Sequence, residues 1–212
     1  MRLLTVSMLK KLPKFQNCIN ADAELIGRGM FSCVFDNKDG TVTKFTVDEA
    51  GYNWLADRAY GISQLDDENP FKFPIYDDYE VIGDVFIRCK NNPQKSGEYP
   101  VYAVRMAKCE PLKLSALPKP QAHQVRLIRK VVSDSIYLKE HDRKVRISQH
   151  AEVAYDLTQS DHYEEMIRTL WYMVGDYDVL PDMLGGGNIM SYNGHPVLID
   201  PVFDLDTRRL AS

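Results

Sequence analysis

Toward the end of the chain stand Asp182, Asn188 and Asp200, the last two bounding the short apolar runs Ile189-Met190 and Val197-Leu198-Ile199. An aspartate can take the proton of an attacking hydroxyl. An amide oxygen and a second carboxylate are hard donors of the kind that hold Mg²⁺ against phosphates. Near the start, Gly27-Arg28-Gly29-Met30-Phe31-Ser32 lies between the apolar pairs Leu25-Ile26 and Cys33-Val34, and Lys44 follows inside the strand-like run Thr41–Val47. Glycines let backbone N–H groups come close to phosphate oxygens. A lysine pointing inward from a strand needs counter-charge, and the α- and β-phosphates of a nucleotide supply it. In this order, the groups predict phosphoryl transfer from a nucleotide to a hydroxyl.

Each residue takes a definite role in that chemistry. Asp182 is the candidate base, and Asn188 and Asp200 are the candidate Mg²⁺ ligands. Lys44 is the candidate phosphate ligand, paired with Glu49 at the head of the following helix or, alternatively, with Asp57. Gly27, Gly29 and Ser32 form the phosphate loop, with Phe31 capping its tip. Val34, Met106 and Met190, with Val42 and Ile199, are candidates to line an adenine pocket, although core packing accounts for them equally well. The loop is not a Walker A loop, because no Gly-Lys-Ser/Thr follows. Taken singly, each feature has an ordinary explanation: a hairpin turn, an exposed strand lysine, a turn cap at Asp182, an Asp-Pro turn at Asp200. Their co-occurrence in order carries the reading. His195 is read as a turn residue.

The elements that must position these groups follow from local pattern. Residues 24 to 35 read as strand, tight loop and returning strand, and Asp36–Gly40 as a turn ending in Asp-Gly. Thr41–Val47 is β-branched and reads as a strand. Asp48 or its neighbour caps a helix to about Tyr60, stopped by Gly61. Asp77–Cys89 and Tyr99–Met106 add two strands around the polar turn Asn91–Gly97. These make a five-stranded antiparallel sheet with one helix. From Leu112 the pattern turns helical, with candidates at 120–132, 149–158 and 161–175. Asn188–Ser191 and Val197–Ile199 flank a turn at Tyr192–Pro196 and form a small hairpin. The predicted class is α+β, with two lobes, 1–108 and 109–212, hinged near Cys109-Glu110-Pro111.

Composition narrows the class. The chain has 212 residues, 44% hydrophobic and 26% charged, as in a globular protein. The net charge of −4 argues against a general nucleic-acid binder. Charge is uneven: residues 36–84 hold twelve acids and four bases, and residues 105–146 hold eleven bases and four acids. The basic stretch 113–146 is either a set of solvated helix faces or a docking surface for an acidic partner. Cys18, Cys33, Cys89 and Cys109 form no CxxC pair, so reduced thiols of a cytoplasmic protein are expected rather than zinc. No apolar run approaches membrane-spanning length. The first fifteen residues lack a signal-peptide pattern and read as a short amphipathic segment packed on the fold and interrupted near Pro13.

With these residues in view, the chain resembles the early serine/threonine protein kinases of T-odd (autographivirus) bacteriophages. The resemblance is carried by Ala21-Asp22-Ala23, Gly27–Ser32, Val42-Thr43-Lys44, Gly187-Asn188-Ile189-Met190-Ser191-Tyr192-Asn193-Gly194 and Asp200-Pro201-Val202. It implies a protein-kinase-like bilobal fold with an antiparallel five-stranded N-lobe and a compact, truncated helical C-lobe. It also implies ATP with Mg²⁺ (or Mn²⁺), phosphorylation of Ser/Thr on host proteins and on the chain itself, and action in the host bacterial cytoplasm. Three departures stand out. Asp182 and Asn188 are six positions apart where kinases have five, the usual loop His is absent, and Pro201 replaces the Phe of standard kinases. With only twelve residues after Asp200, substrate is expected to be gripped by the basic stretch. Two rival expectations remain. One is a kinase-fold protein that binds and inhibits or retargets a host enzyme. The other is a small-molecule phosphotransferase, for which the acids of residues 152–182 speak.

Overall fold

A computed structural model describes residues 3–56, 73–89, 93–135, 179–181 and 187–204. Asp57, Asp182 and the expected helices 149–158 and 161–175 lie outside the described residues, as does the expected helix beyond Ala56. Of the described residues, 3–56, 73–108 and 203–204 belong to one compact unit and the remainder to a second.

The first unit contains α1 (Val6–Leu9), β1 (Glu24–Arg28), β2 (Ser32–Asp36), β3 (Thr41–Thr46), α2 (Glu49–Leu55), β4 (Ile75–Ile87) and β5 (Gly97–Ala107). The strands form one antiparallel sheet in the order β1-β2-β3-β5-β4. The expected α+β class and five-stranded antiparallel sheet are therefore both present. Period-2 alternation splits the strands between two faces. Cys33, Phe45 and Ala103 sit opposite one another across β2, β3 and β5. All three belong to a core with Leu3, Leu4, Leu9, Leu12, Phe15 and Cys18 of the N-terminal segment.

That segment forms a layer of the core. Thr5 caps α1, its hydroxyl accepting the Met8 N–H at 3.4 Å. Pro13 follows, and a short 3₁₀ turn at Phe15–Cys18 aims Phe15 at the sheet. Its ring lies 5.5 Å from that of Phe35 and 5.2 Å from that of Phe45, and those two lie 5.6 Å apart. Gly83 of β4 lets Leu12 approach, since a Cβ there would lie 3.1 Å from a Leu12 methyl.

The β2–β3 turn passes through positive φ at Lys38 (62°) and Gly40 (85°), as its Asp-Gly ending suggests. It is tied together by polar side chains. Asn37, 1% exposed, donates to the hydroxyls of Thr41 and Thr43 at 3.0 Å each and accepts the Asn20 N–H at 3.2 Å. Asp36 accepts from Lys108 at 2.8 Å and from the Lys38 N–H at 2.9 Å, which hold its carboxyl below the usual range. Asp39 is also held low. The Thr41 hydroxyl (2.6 Å) contributes most, followed by the Asn20 amide, the Thr41 N–H and the Arg105 guanidinium, with burial opposing. The sign follows from linkage. A carboxylate depressed on folding contributes stability that is fully present above its unfolded pKa, about 4, and is lost as pH falls through the lower folded value. An Asp39→Asn chain is accordingly less heat-stable than wild type near neutrality, with the gap closing below about pH 4. Paired thermal melts across that range check it; a gap that stays constant would refute it.

β4 is an edge strand and its pairing with β5 slips three times, at Ile75/Asp77, Asp78/Glu80 and Val81/Gly83. Tyr76, Val81 and Phe86 are exposed along it.

The second unit holds β6 (Glu110–Pro111), α3 (Lys119–Ser135), β7 (Val179–Pro181), β8 (Ile189–Tyr192) and β9 (His195–Leu198); β10 (Val202–Asp204) follows where the chain passes back to the first. β6, β8 and β9 make a three-stranded antiparallel sheet. β8 and β9 are joined by the two-residue turn Asn193-Gly194, both at positive φ (50° and 82°), the backbone that matches strand twist. α3 corresponds to the helix expected at 120–132. Its Ala122 and Val125 are buried, and the Gln121 amide lies 3.4 Å from His195 Nδ1. None of the four cysteines forms a disulfide; burial pushes Cys18 up to about 11 and Cys109 up to about 12, which disfavours their thiolates.

Candidate functional site

Lys44 is 4% exposed in the middle of β3. Across the sheet it stands opposite Val34 on one side and Val104 on the other, and Val34 stands opposite Gly27. Directly opposed residues share a face, so Gly27, Val34 and Lys44 lie on one side of the sheet, away from Phe15. Met106, opposite Val42, joins the same side. Gly27 gets there through an irregularity. The β1–β2 register slips between Leu25 and Gly27, leaving Ile26 51% exposed, so Leu25 packs on the core while Gly27 turns to the other face.

α2 covers this same face. Tyr52 stacks on Tyr102 with ring centroids 4.4 Å apart, and its hydroxyl donates to Asp78 Oδ1 at 2.7 Å; Asp78 is itself opposite Val104. Glu49, the carboxylate expected beside Lys44, is exposed. The buried carboxylate at that corner is Asp48, 3% exposed, which occupies the N-cap position without capping the helix through its side chain. Sequence reasoning took Asp48 only as a cap. The apolar Val47 before it and Ala50 two positions after it are the available signal.

The glycine turn is closed. The Gly29 N–H donates to the Ser32 carbonyl at 2.9 Å, and a Cβ on Gly29 would lie 2.8 Å from Ser32 Oγ. The tip carbonyls are also engaged: Met30 accepts the Leu3 N–H at 2.8 Å and Phe31 accepts the Val47 N–H at 3.1 Å. Phe31, expected to cap the loop tip, packs instead against the core built on the N-terminal segment. At Gly27 a Cβ would meet only Val34, at 3.4 Å.

In the second unit the hairpin brings two of the expected ligands together. The Asn188 carbonyl accepts the N–H of Ile199 at 2.9 Å and that of Asp200 at 3.4 Å, so these residues meet at the open end of β8–β9. Asp200 Oδ1 is shut off from solvent. Met190 lies one step along, opposite Val197 and Pro111. Among the described residues no three His, Cys, Asp or Glu side chains gather as a metal site. One amide oxygen and one carboxylate nevertheless suit Mg²⁺, which takes few protein ligands and completes its shell with water and phosphate.

Among the described residues no helix is long and apolar enough to cross a membrane. No protein-family model matches the chain, and no curated protein matches it.

Proposed function

We propose that this chain is an ATP-dependent phosphotransferase of protein-kinase-like fold that phosphorylates serine or threonine. The meeting of Asn188 and Asp200 carries the proposal: twelve residues apart in sequence, they adjoin through two backbone hydrogen bonds to one carbonyl. Asn188 and Asp200 would hold Mg²⁺ there, and the ion would neutralise charge on the transferred phosphoryl group. Lys44 neutralises the α- and β-phosphates, Val34 and Met106 flank the base, and Asp182 takes the proton of the hydroxyl. The shared sheet face of Gly27, Val34, Lys44 and Met106, with a helix between β3 and β4 packed over that face, supports the assignment. The resemblance to early phage kinases makes host proteins and the chain itself the substrates, in the bacterial cytoplasm.

The test is a thermal shift with MgATP, paired with transfer of labelled phosphate to the chain and to host lysate. Wild type is stabilised by several degrees at ligand well above Kd, roughly 3 kcal/mol at a hundredfold excess, and Lys44→Ala loses the shift. A wild-type protein with neither shift nor transfer in Mg²⁺ or Mn²⁺ ends the proposal.

The closed glycine turn favours a second reading, a kinase-fold protein that inhibits or retargets a host enzyme by contact. In that case the effect on the host survives both Lys44→Ala and Asp182→Ala.

A further inference from the structure

Four residues of α3, Lys119, His123, Arg126 and Lys130, are all exposed. Their spacing of four, three and four places them on one stripe of the helix, about 16 Å long. Ala122 and Val125, on the flank of the helix that adjoins this stripe, are buried, so the side on which the helix packs is independently fixed. No ion pair among the described residues involves any of the four. The basic side chains that hold the β2–β3 turn behave differently. Lys38 meets Glu24 and Asp36, Arg105 meets Asp39, and Lys108 meets Asp36. Like charges three and four apart on a helix repel, at a few tenths of a kcal/mol per pair. On this stripe Arg126 and Lys130 are such a pair, and no ion pair among the described residues offsets their repulsion.

We infer that this stripe docks an acidic segment of the protein substrate. The inference rests on the phosphotransferase reading for its purpose, and it supplies the substrate class: a Ser/Thr protein with a run of Asp or Glu near the modified residue. Charge complementarity sets the sign of the partner, and two observations favour peptide over nucleic acid. The whole chain is negative, −4, which repels a long polyanion but leaves a local stripe readable within a Debye length of about 8 Å. Residues 113–135 contain no Phe, Trp or Tyr on which bases could stack.

The experiment uses the full chain and a fluorescent peptide holding one serine followed by six glutamates, read by anisotropy without nucleotide or metal. The variant Lys119→Gln/Arg126→Gln/Lys130→Gln changes only exposed side chains, and circular dichroism verifies its fold. It should bind the peptide about tenfold or more weaker, with wild-type binding falling as salt is raised. The corresponding triple Glu variant should lose that peptide and gain an oligolysine one. Equal binding by wild type and the Gln variant overturns the inference, as does tighter wild-type binding to an oligonucleotide of matched charge. Stripe-dependent peptide binding without any phosphate transfer leaves docking standing and removes the phosphotransferase reading. Transfer that is indifferent to the stripe does the reverse.

Discussion

On the proposed phosphotransferase reading, an Asp200→Asn chain is expected to fold like wild type yet to lose phosphate transfer by about a thousandfold, the several kcal/mol that a metal contributes to transition-state charge. The fold should survive because the hairpin closes through the backbone. It is the N–H of Asp200 and of Ile199 that bond to the Asn188 carbonyl, and both remain in the variant. The change removes one negative charge from the proposed ligand pair and leaves the side chain's shape nearly intact. Mn²⁺ binding followed by electron paramagnetic resonance in the presence of nucleotide gives a readout independent of turnover, and the variant's Mn²⁺ affinity should fall by at least tenfold. An Asp200→Asn protein that binds Mn²⁺ as wild type does and keeps more than a tenth of its activity would take Asp200 out of the metal site. Asn188→Ala should move in the same direction by less, because an amide oxygen holds a hard cation more weakly than a carboxylate does.

Replacing Phe15 by Ala should cost about 3–5 kcal/mol, the range for deleting a buried phenyl ring. Phe15 is 1% exposed and touches two further rings, those of Phe35 and Phe45, which are themselves 5% and 0% exposed. Edge-to-face and tilted contacts add to what area alone contributes. The hole would open between the N-terminal segment and the sheet, where three strands and a 3₁₀ turn fix the walls and limit collapse. For a chain of this size the melting midpoint should drop by about 10 °C. Phe15→Leu should recover roughly half of the loss. Calorimetry of the three proteins decides it, and a shift below about 2 °C for Phe15→Ala would mean that the aromatic cluster is not the centre of this core.

The strands could be read because their chemistry is local. Thr41–Thr46 is β-branched, the Asp-Gly and Asn-Gly pairs mark turns, and the helix after Asp48 begins where an acidic residue meets the first apolar one. What could not be read depends on contacts between residues far apart in the chain. Leu3 bonds to Met30 and Val47 to Phe31, and no local pattern announces that the glycine turn is pinned by a segment more than twenty residues upstream. For the same reason Phe31 reads as a loop-tip residue, while the structure folds it onto the core. The first fifteen residues read as packed on the fold, but their depth does not show in an amphipathic period; it comes from Leu3, Leu4, Leu9, Leu12 and Phe15 filling one side of the sheet together. The choice of Glu49 illustrates the same limit at short range. Helix pattern places an acid at the start of α2 but does not say which of two adjacent acids faces inward, and the structure buries Asp48 and exposes Glu49. Asn188 and Asp200 are legible as a pair because a short hairpin sets its two ends side by side, although the turn read as Tyr192–Pro196 is in the structure only Asn193-Gly194, with His195 and Pro196 already in β9.

The three slips along β4 have a consequence for the behaviour of concentrated solutions. This margin of the sheet is thirteen residues long and carries exposed Tyr76, Val81 and Phe86, the make-up of a strand that recruits copies of itself. Each slip puts the outward N–H and C=O groups out of step with a straight incoming strand, so a second molecule finds an unbroken ladder only along Gly83–Ile87. Restoring an even pleat by deleting the surplus residues would convert a harmless border into a template for fibrils.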